Sequence, residues 1–183
     1  MNEMISNPPL RQVAVCIETT GIDPVESHRV VEIAAVEIID RRLTGRYFHT
    51  YLNPEQDIEI AAQAVHGLSW EMLKDKPVFA EIALAFIDFV KGAELVAHNA
   101  PFDIGFLNQE LMKAKLDSLD SYCPKLIDTL DLAKARRPDN KNTLTALCED
   151  FSIPIEADTN AGCLMDANAL AKLFLVLGPH VLH

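Results

Sequence analysis

The chain has 183 residues, 49% of them apolar and 23% charged, with a formal net charge of −11. That length and balance suit a soluble globular chain with a proper core. The acidity argues against an extended basic surface for nucleic acid, while leaving room for a local groove in which backbone N–H groups or a bound metal meet phosphates. Cys16, Cys123, Cys148 and Cys163 are far apart with no CxxC pair, which speaks against a zinc site and for reduced thiols. Met1 to Arg11 is polar and proline-containing, unlike a signal peptide, and no apolar run is long enough to span a bilayer. A cytoplasmic location without membrane contact is expected.

Val13–Glu18 reads as a buried strand, followed by the turn sequence Thr-Thr-Gly-Ile-Asp-Pro. Arg29–Ile39, rich in Val and Ile, is a second strand. Asp40-Arg41-Arg42 is a turn and Gly45–Leu52 a third strand, and the short connections favour an antiparallel meander. After Pro54 the pattern changes. Phe79, Ile82, Ala83, Phe86 and Val90 have helical spacing across Val78–Lys91, with Gly92 at the end. Glu94–Ala97 is a short strand. Pro101 suits a helix start, and Ile104, Leu107 and Leu111 continue that helix. Leu126–Ile127 is another short strand. Thr129–Arg136, Thr143–Asp150 and Cys163–Leu177 read as helices, the last with a buried stripe of Ala167, Leu170, Ala171 and Phe174. Trp70, Phe86, Phe89 and Phe106 are expected in or near the core. Strands first and helices later imply an α/β sandwich around a mixed sheet. With no repeat or linker, residues 1–183 read as one domain.

The end of the first strand carries the chemistry. Residues two apart on a strand share a face, so positions 16 and 18 point the same way. Two acids there could grip a divalent metal, yet one position is Glu18 and the other is Cys16. Asp103 falls in the first turn of a helix and Asp166 early in the last helix.

ETTG after an apolar strand, then HNAPFD, then DTL with an NTLTALC helix, then a GCLMDA helix, resemble the motifs of the DEDDh 3′–5′ exonucleases. Within that family, RRLTGRYFHTYLNP, VHGL, DKPVFAE and GAELVAHNAPFDIGF are similar to the epsilon proofreading subunits of bacterial replicative DNA polymerase (DNA polymerase III). The resemblance runs from about Arg11 to Leu177. It implies an α/β, ribonuclease-H-like fold, a mixed five-stranded sheet flanked by helices. It also implies two Mg²⁺ or Mn²⁺ ions held by four acids, with a histidine as general base on the attacking water. Paired ions stabilise the attacking and leaving oxygens of a phosphoryl displacement, and hard cations take oxygen ligands. By position, Glu18, Asp103 and Asp166 match three of the catalytic, metal-binding acids.

Two positions depart from that pattern. Cys16 stands where the family has its first acid, and Ala161 where it has the histidine. His180 and His183 lie too far downstream to replace that histidine, and Gly162 stands where the tyrosine variant of the superfamily would need Tyr. Alanine cannot accept a proton, and a general base contributes about 10²–10⁴-fold. A thiol is a soft ligand, mostly neutral at neutral pH, and a cysteine on a buried strand is commonly an inert small residue. The resemblance further implies substrate contacts from Thr19, Thr20, Gly21, His66, Asn99 and Phe102, with a single-stranded DNA 3′ end and a DNA polymerase catalytic subunit as partners. His98 is expected to support its loop by hydrogen bonding. Three readings stand at this point: an impaired exonuclease-fold protein retained for nucleic-acid or partner binding, an active metal-dependent 3′–5′ exonuclease, and a structural subunit without nucleic-acid contact.

Overall fold

The structure, a computed structural model, describes residues 9–23, 27–155 and 162–178. In chain order the elements are β1 (Arg11–Thr19), β2 (Val30–Ile39), β3 (Arg42–Tyr51), α1 (Ile60–His66), α2 (Trp70–Leu73), α3 (Phe79–Val90), β4 (Glu94–Ala97), α4 (Ala100–Lys113), β5 (Leu126–Asp128), α5 (Thr129–Arg136), α6 (Leu144–Asp150) and α7 (Gly162–Leu177). The five strands lie in the order β3-β2-β1-β4-β5. β3, β2 and β1 form the antiparallel meander, whereas β4 runs parallel to β1 and β5 parallel to β4. The parallel pair β4–β5 needs a crossover, which α4 supplies.

The hairpin between β2 and β3 is tighter than its sequence suggests. Asp40 and Arg41 take φ of +47° and +63°, and Arg42 already pairs with Ile39. Two left-handed residues make a turn whose twist matches the flanking strands, so Arg42 belongs to β3 and not to the turn.

Alternation along β1 divides the core. Val13, Val15 and Ile17 face α3 and α4, where they meet Phe79, Phe86, Phe106, Leu107 and Leu111. Ala14 and Cys16 face α7 with Ala34, Val96, Cys163, Ala167, Leu170, Ala171 and Phe174. β2 is covered on both faces, which is why it reads as an apolar run without clear alternation.

Three features depart from expectation. α1 and α2 were not foreseen in the sequence; Gly67, at φ +73°, ends α1 as a left-handed cap. Trp70 lies on the surface, 37% exposed, because it opens the four-residue α2, whose inward position is taken by Leu73. A 3₁₀ turn at Leu119–Ser121 precedes β5.

One buried ion pair fixes α4 to the sheet. Glu110, 2% exposed, receives Arg29 Nε at 2.7 Å and Nη2 at 2.9 Å, and the backbone N–H of Val30 at 3.2 Å. Removing one partner of a buried pair leaves the other charge desolvated, at a cost of about 3–5 kcal/mol. Glu110→Ala is therefore expected to lower unfolding free energy by about that amount in urea titration, and a loss under 1 kcal/mol would show that the pair does not anchor the helix.

Candidate active site

Pairing between β1 and β4 stops at Ala14–Val96, while β1 continues to Thr19. The last residues of β1 thus have no strand on that side, and their backbone N–H groups need another acceptor. The first turn of α4 fills the notch, and Asp103 accepts a hydrogen bond from the backbone N–H of Ile17. The helix start is fixed by Asn99, in left-handed conformation at φ +77°, ψ +56°, and by Asp128, which accepts from the backbone N–H of Asn99 at 3.1 Å and of Ala100 at 2.9 Å. Asp128 also caps α5 through Leu130 N–H at 2.8 Å.

On the other side of β1, Glu18 lies directly opposite Glu32 in the β1–β2 ladder. Asp166 follows one turn into α7, between the buried Cys163 and Ala167 that pack on the sheet. Glu18, Asp103 and Asp166 are electrostatically coupled. Burial first, then Glu32 and Asp166, push the Glu18 carboxyl up to about 7. Burial raises Asp103 to about 7 against its two backbone hydrogen bonds, with Glu18 and Asp128 adding to the rise. Burial and then Glu32 raise Asp166 above the ordinary carboxylate range.

Cys16 shares this pocket of charge. Cys163 Sγ donates to the Cys16 carbonyl at 2.9 Å, and the two thiols are in side-chain contact. The hydrogen bond from Cys163 favours the thiolate, but burial and the charges of Asp103, Asp166 and Glu18 together hold the Cys16 thiol above its usual value. It is therefore a neutral group at neutral pH, turned toward the helix.

The exonuclease family is generally dependent on divalent metal. Glu18, Asp103 and Asp166 are hard oxygen donors of the right type. Their arrangement fits less well: among the described residues no three His, Cys, Asp or Glu side chains converge to hold an ion. With a neutral thiol at position 16, the set does not fit a two-ion centre.

The remaining candidates are placed as follows. The side chains of Thr19 and Thr20 are buried and engaged within the loop: Thr19 Oγ1 donates to Gly21 O at 2.7 Å, and Thr20 Oγ1 accepts from Arg29 N–H and Gln56 Nε2, each at 2.9 Å. Gly21 packs against His28, whose ring would lie 2.4 Å from an added Cβ. His66 is the last residue of α1. Its Nδ1 accepts from Leu68 N–H at 3.0 Å, so Nε2 carries the proton and faces Thr19 O at 3.2 Å. Burial lowers its pKa, consistent with that neutral tautomer. Asn99 is exposed at the mouth, and Phe102 is half-buried against Phe106, ring centroids 4.9 Å apart. His98 bridges Thr129 Oγ1 at 2.9 Å and Asn142 O at 2.8 Å, the supporting role expected of it. Ala161, Pro24, His180 and His183 lie outside the described residues.

Sequence reasoning missed Glu32 and His49. Glu32 is 2% exposed, and His49 Nε2 lies 2.7 Å from its Oε1. The signal was present: an acid inside the apolar run Val30–Ile39 must be buried and partnered.

The geometry of acids around the end of β1 agrees with comparison to known proteins. A family model described as Exonuclease (RNase T) matches residues 13–174. The chain belongs to the exonuclease family. It is 44% identical over 176 residues to DNA polymerase III subunit epsilon of Pasteurella multocida, spanning 93% of this chain and 69% of that protein. Against the Escherichia coli subunit epsilon it is 43% identical over 173 residues, spanning 91% and 71%. Among solved structures, exonuclease X in complex with 5′ overhanging duplex DNA is 26% identical with a TM-score of 0.67, spanning 92% of this chain and 90% of that one. E. coli exonuclease I, bound to a dT13 oligonucleotide, superposes with a TM-score of 0.80 at 16% identity; the chain spans 41% of it. That likeness shows the shared ribonuclease-H-like fold.

The raised carboxyls set a pH dependence. Folded Glu18 and Asp103 bind protons up to about pH 7, whereas unfolded they release them near ~4. Their contribution to stability is full below about pH 4 and is lost as pH rises to about 7. In chelator-treated buffer, Glu18→Gln is expected to raise Tm at pH 8 relative to the parent and to change it little at pH 4. Equal effects at both pH values would show that Glu18 is not desolvated.

Proposed function

We propose that this chain is an epsilon-like exonuclease-family protein that holds single-stranded DNA 3′ ends at the Glu18–Asp103–Asp166 notch and turns them over slowly or not at all. The observation that carries the reading is Cys16, a neutral thiol packed against Cys163 where an anionic oxygen ligand would be needed. Ala161, in place of the histidine, removes the proton acceptor as well. Binding is supported by the exposed Asn99 and the half-buried Phe102 ring at one mouth, and by the neutral His66 on the other side of β1. Aromatic faces take unpaired bases at about 1–3 kcal/mol each. In this reading Glu18, Asp103 and Asp166 retain the position of metal ligands for Mg²⁺ or Mn²⁺ without a complete set. A DNA polymerase catalytic subunit in the cytoplasm is the partner that the similarity to subunit epsilon proteins favours, and residues 1–183 act as one domain.

Degradation of a 3′-labelled single-stranded oligonucleotide with Mg²⁺ or Mn²⁺ tests the proposal. The parent chain is expected at least ~10²-fold below the Cys16→Asp/Ala161→His double variant, with comparable DNA affinity. Parent turnover equal to that of the double variant would end it. Failure of both proteins to bind DNA would favour a purely structural subunit.

The three retained acids favour a second reading, an active exonuclease with an unusual ligand set. It requires that Glu18→Ala abolish measurable parent activity. Nucleotide release that survives Glu18→Ala would exclude it and point to a contaminating nuclease.

A further inference from the structure

The four cysteines do not sit alike. Cys123 belongs to the cluster between the sheet and α3 and α4, and its thiol donates to Val90 O at 3.4 Å. Cys148, on α6, packs with Leu147, Ala169 and Leu173. Cys16 and Cys163 share the remaining cluster, on the α7 face of β1. They are 147 residues apart in the chain, yet Cys163 Sγ reaches the Cys16 carbonyl at 2.9 Å and the two thiols touch.

Two features suit this pair to chemistry as well as packing. One is the seat. Ala14, Ala34, Ala167 and Ala171 surround it, so α7 approaches the sheet closely. A disulfide needs Cβ atoms about 3.5–4.5 Å apart, a spacing that touching thiols on facing elements can reach by side-chain rotation. The other is access. Pairing between β1 and β4 ends at Ala14–Val96, so Cys16 lies two residues beyond the last partner on that side. Cys16 is only partly buried, whereas Cys163 is 0% exposed. One cysteine at the margin and one behind it is the order that a small oxidant requires: the outer sulfur is met first and the inner one resolves it.

We propose that Cys16 and Cys163 form a disulfide site, closed by a hydroperoxide, that clamps α7 to β1. The Cys16 sulfur takes an oxygen from the peroxide and becomes a sulfenic acid; the O–O bond breaks, and the leaving oxygen departs as water or an alcohol with the thiol proton. The Cys163 sulfur then attacks the Cys16 sulfur. The S–O bond breaks, the S–S bond forms, and the second oxygen leaves as water with the Cys163 proton. Two thiols are oxidised and one peroxide is reduced. Burial keeps both thiols protonated, so closure is slow and calls for sustained oxidant. Glu18 lies two residues beyond Cys16 and Asp166 three beyond Cys163, so the bridge fixes the strand that carries one acid to the helix that carries the other. The inference does not depend on DNA binding or turnover.

Treatment of the reduced full chain with hydrogen peroxide, in chelator, provides the test. Non-reducing peptide mapping is expected to show Cys16 joined to Cys163, with Cys123 and Cys148 still open to alkylation after unfolding. Intact mass is expected to fall by two hydrogens. Because the closed loop spans most of the chain, Tm is expected to rise by about 5–10 °C and to return on treatment with dithiothreitol. Cys163→Ala, a change of little volume, is expected to give neither the link nor the rise under the same treatment. Cys16 over-oxidised to the sulfinic acid while Cys163 stays a free thiol would overturn the proposal. So would a link that forms only after unfolding in urea, or a link without any rise in Tm.

Discussion

Helix α7 lies close against β1 and β2 because the residues that meet there are small: Ala14, Cys16 and Ala34 from the sheet, Cys163, Ala167 and Ala171 from the helix. Larger side chains would hold the helix off the sheet, since interiors pack at the density of organic crystals. This seat carries Asp166 to the end of β1, where Glu18 and Glu32 already face one another across the ladder. From the opposite layer, α4 brings Asp103 to the same strand end, held by the Arg29–Glu110 pair at one point and by Asp128 at its N-terminus. The acids are thus gathered by packing on two faces of one sheet.

Gathering carboxylates in a buried place has an electrostatic consequence. Each suffers desolvation and feels the others, so Glu18 and Asp103 both hold their protons to about pH 7. Such clustering is the arrangement by which metal-dependent sites attract cations. Cys16 changes the balance. A fourth carboxylate at that position would add repulsion that only cations could offset, whereas a neutral thiol lowers the repulsion and packs like an alanine-sized core residue. A neutral thiol at position 16 therefore adds less repulsion to the cluster than a carboxylate would.

The neighbouring loop is built for support more than for direct contact with a ligand. Thr20 ties together Arg29 and Gln56, and Thr19 closes on Gly21, so these side chains brace the exit from β1. His66, neutral and bonded to Thr19 O, links α1 to that same exit. The site is therefore a rigid frame with chemistry on its rim, and its exposed members are few: Asn99, part of the Phe102 ring and the edge of His66.

Much of this was legible in the chain. Period-3.6 patterns give α3 and α7 almost to the residue, because burial on one face selects side chains at fixed spacing, and β1 shows as an apolar run because it is covered on both faces. The acids Glu18, Asp103 and Asp166, and the departures at Cys16 and Ala161, are visible as letters in motifs. Other features were hidden. α1 and α2 are too short and too exposed to leave a periodic stripe, and Trp70 is placed by α2 at the surface despite its size. Glu32 and His49 become meaningful only when strands pair, because a carboxylate opposite another, or one met by a histidine of the next strand, is a relation between residues distant in sequence. Sequence alone determined which functional groups the protein owns and that Cys16 and Ala161 stand where the family resemblance leads one to expect an acid and a histidine. Tertiary structure decided which of them meet and how far burial shifts their protons, since desolvation and Coulomb coupling depend on separations in space that no linear pattern records.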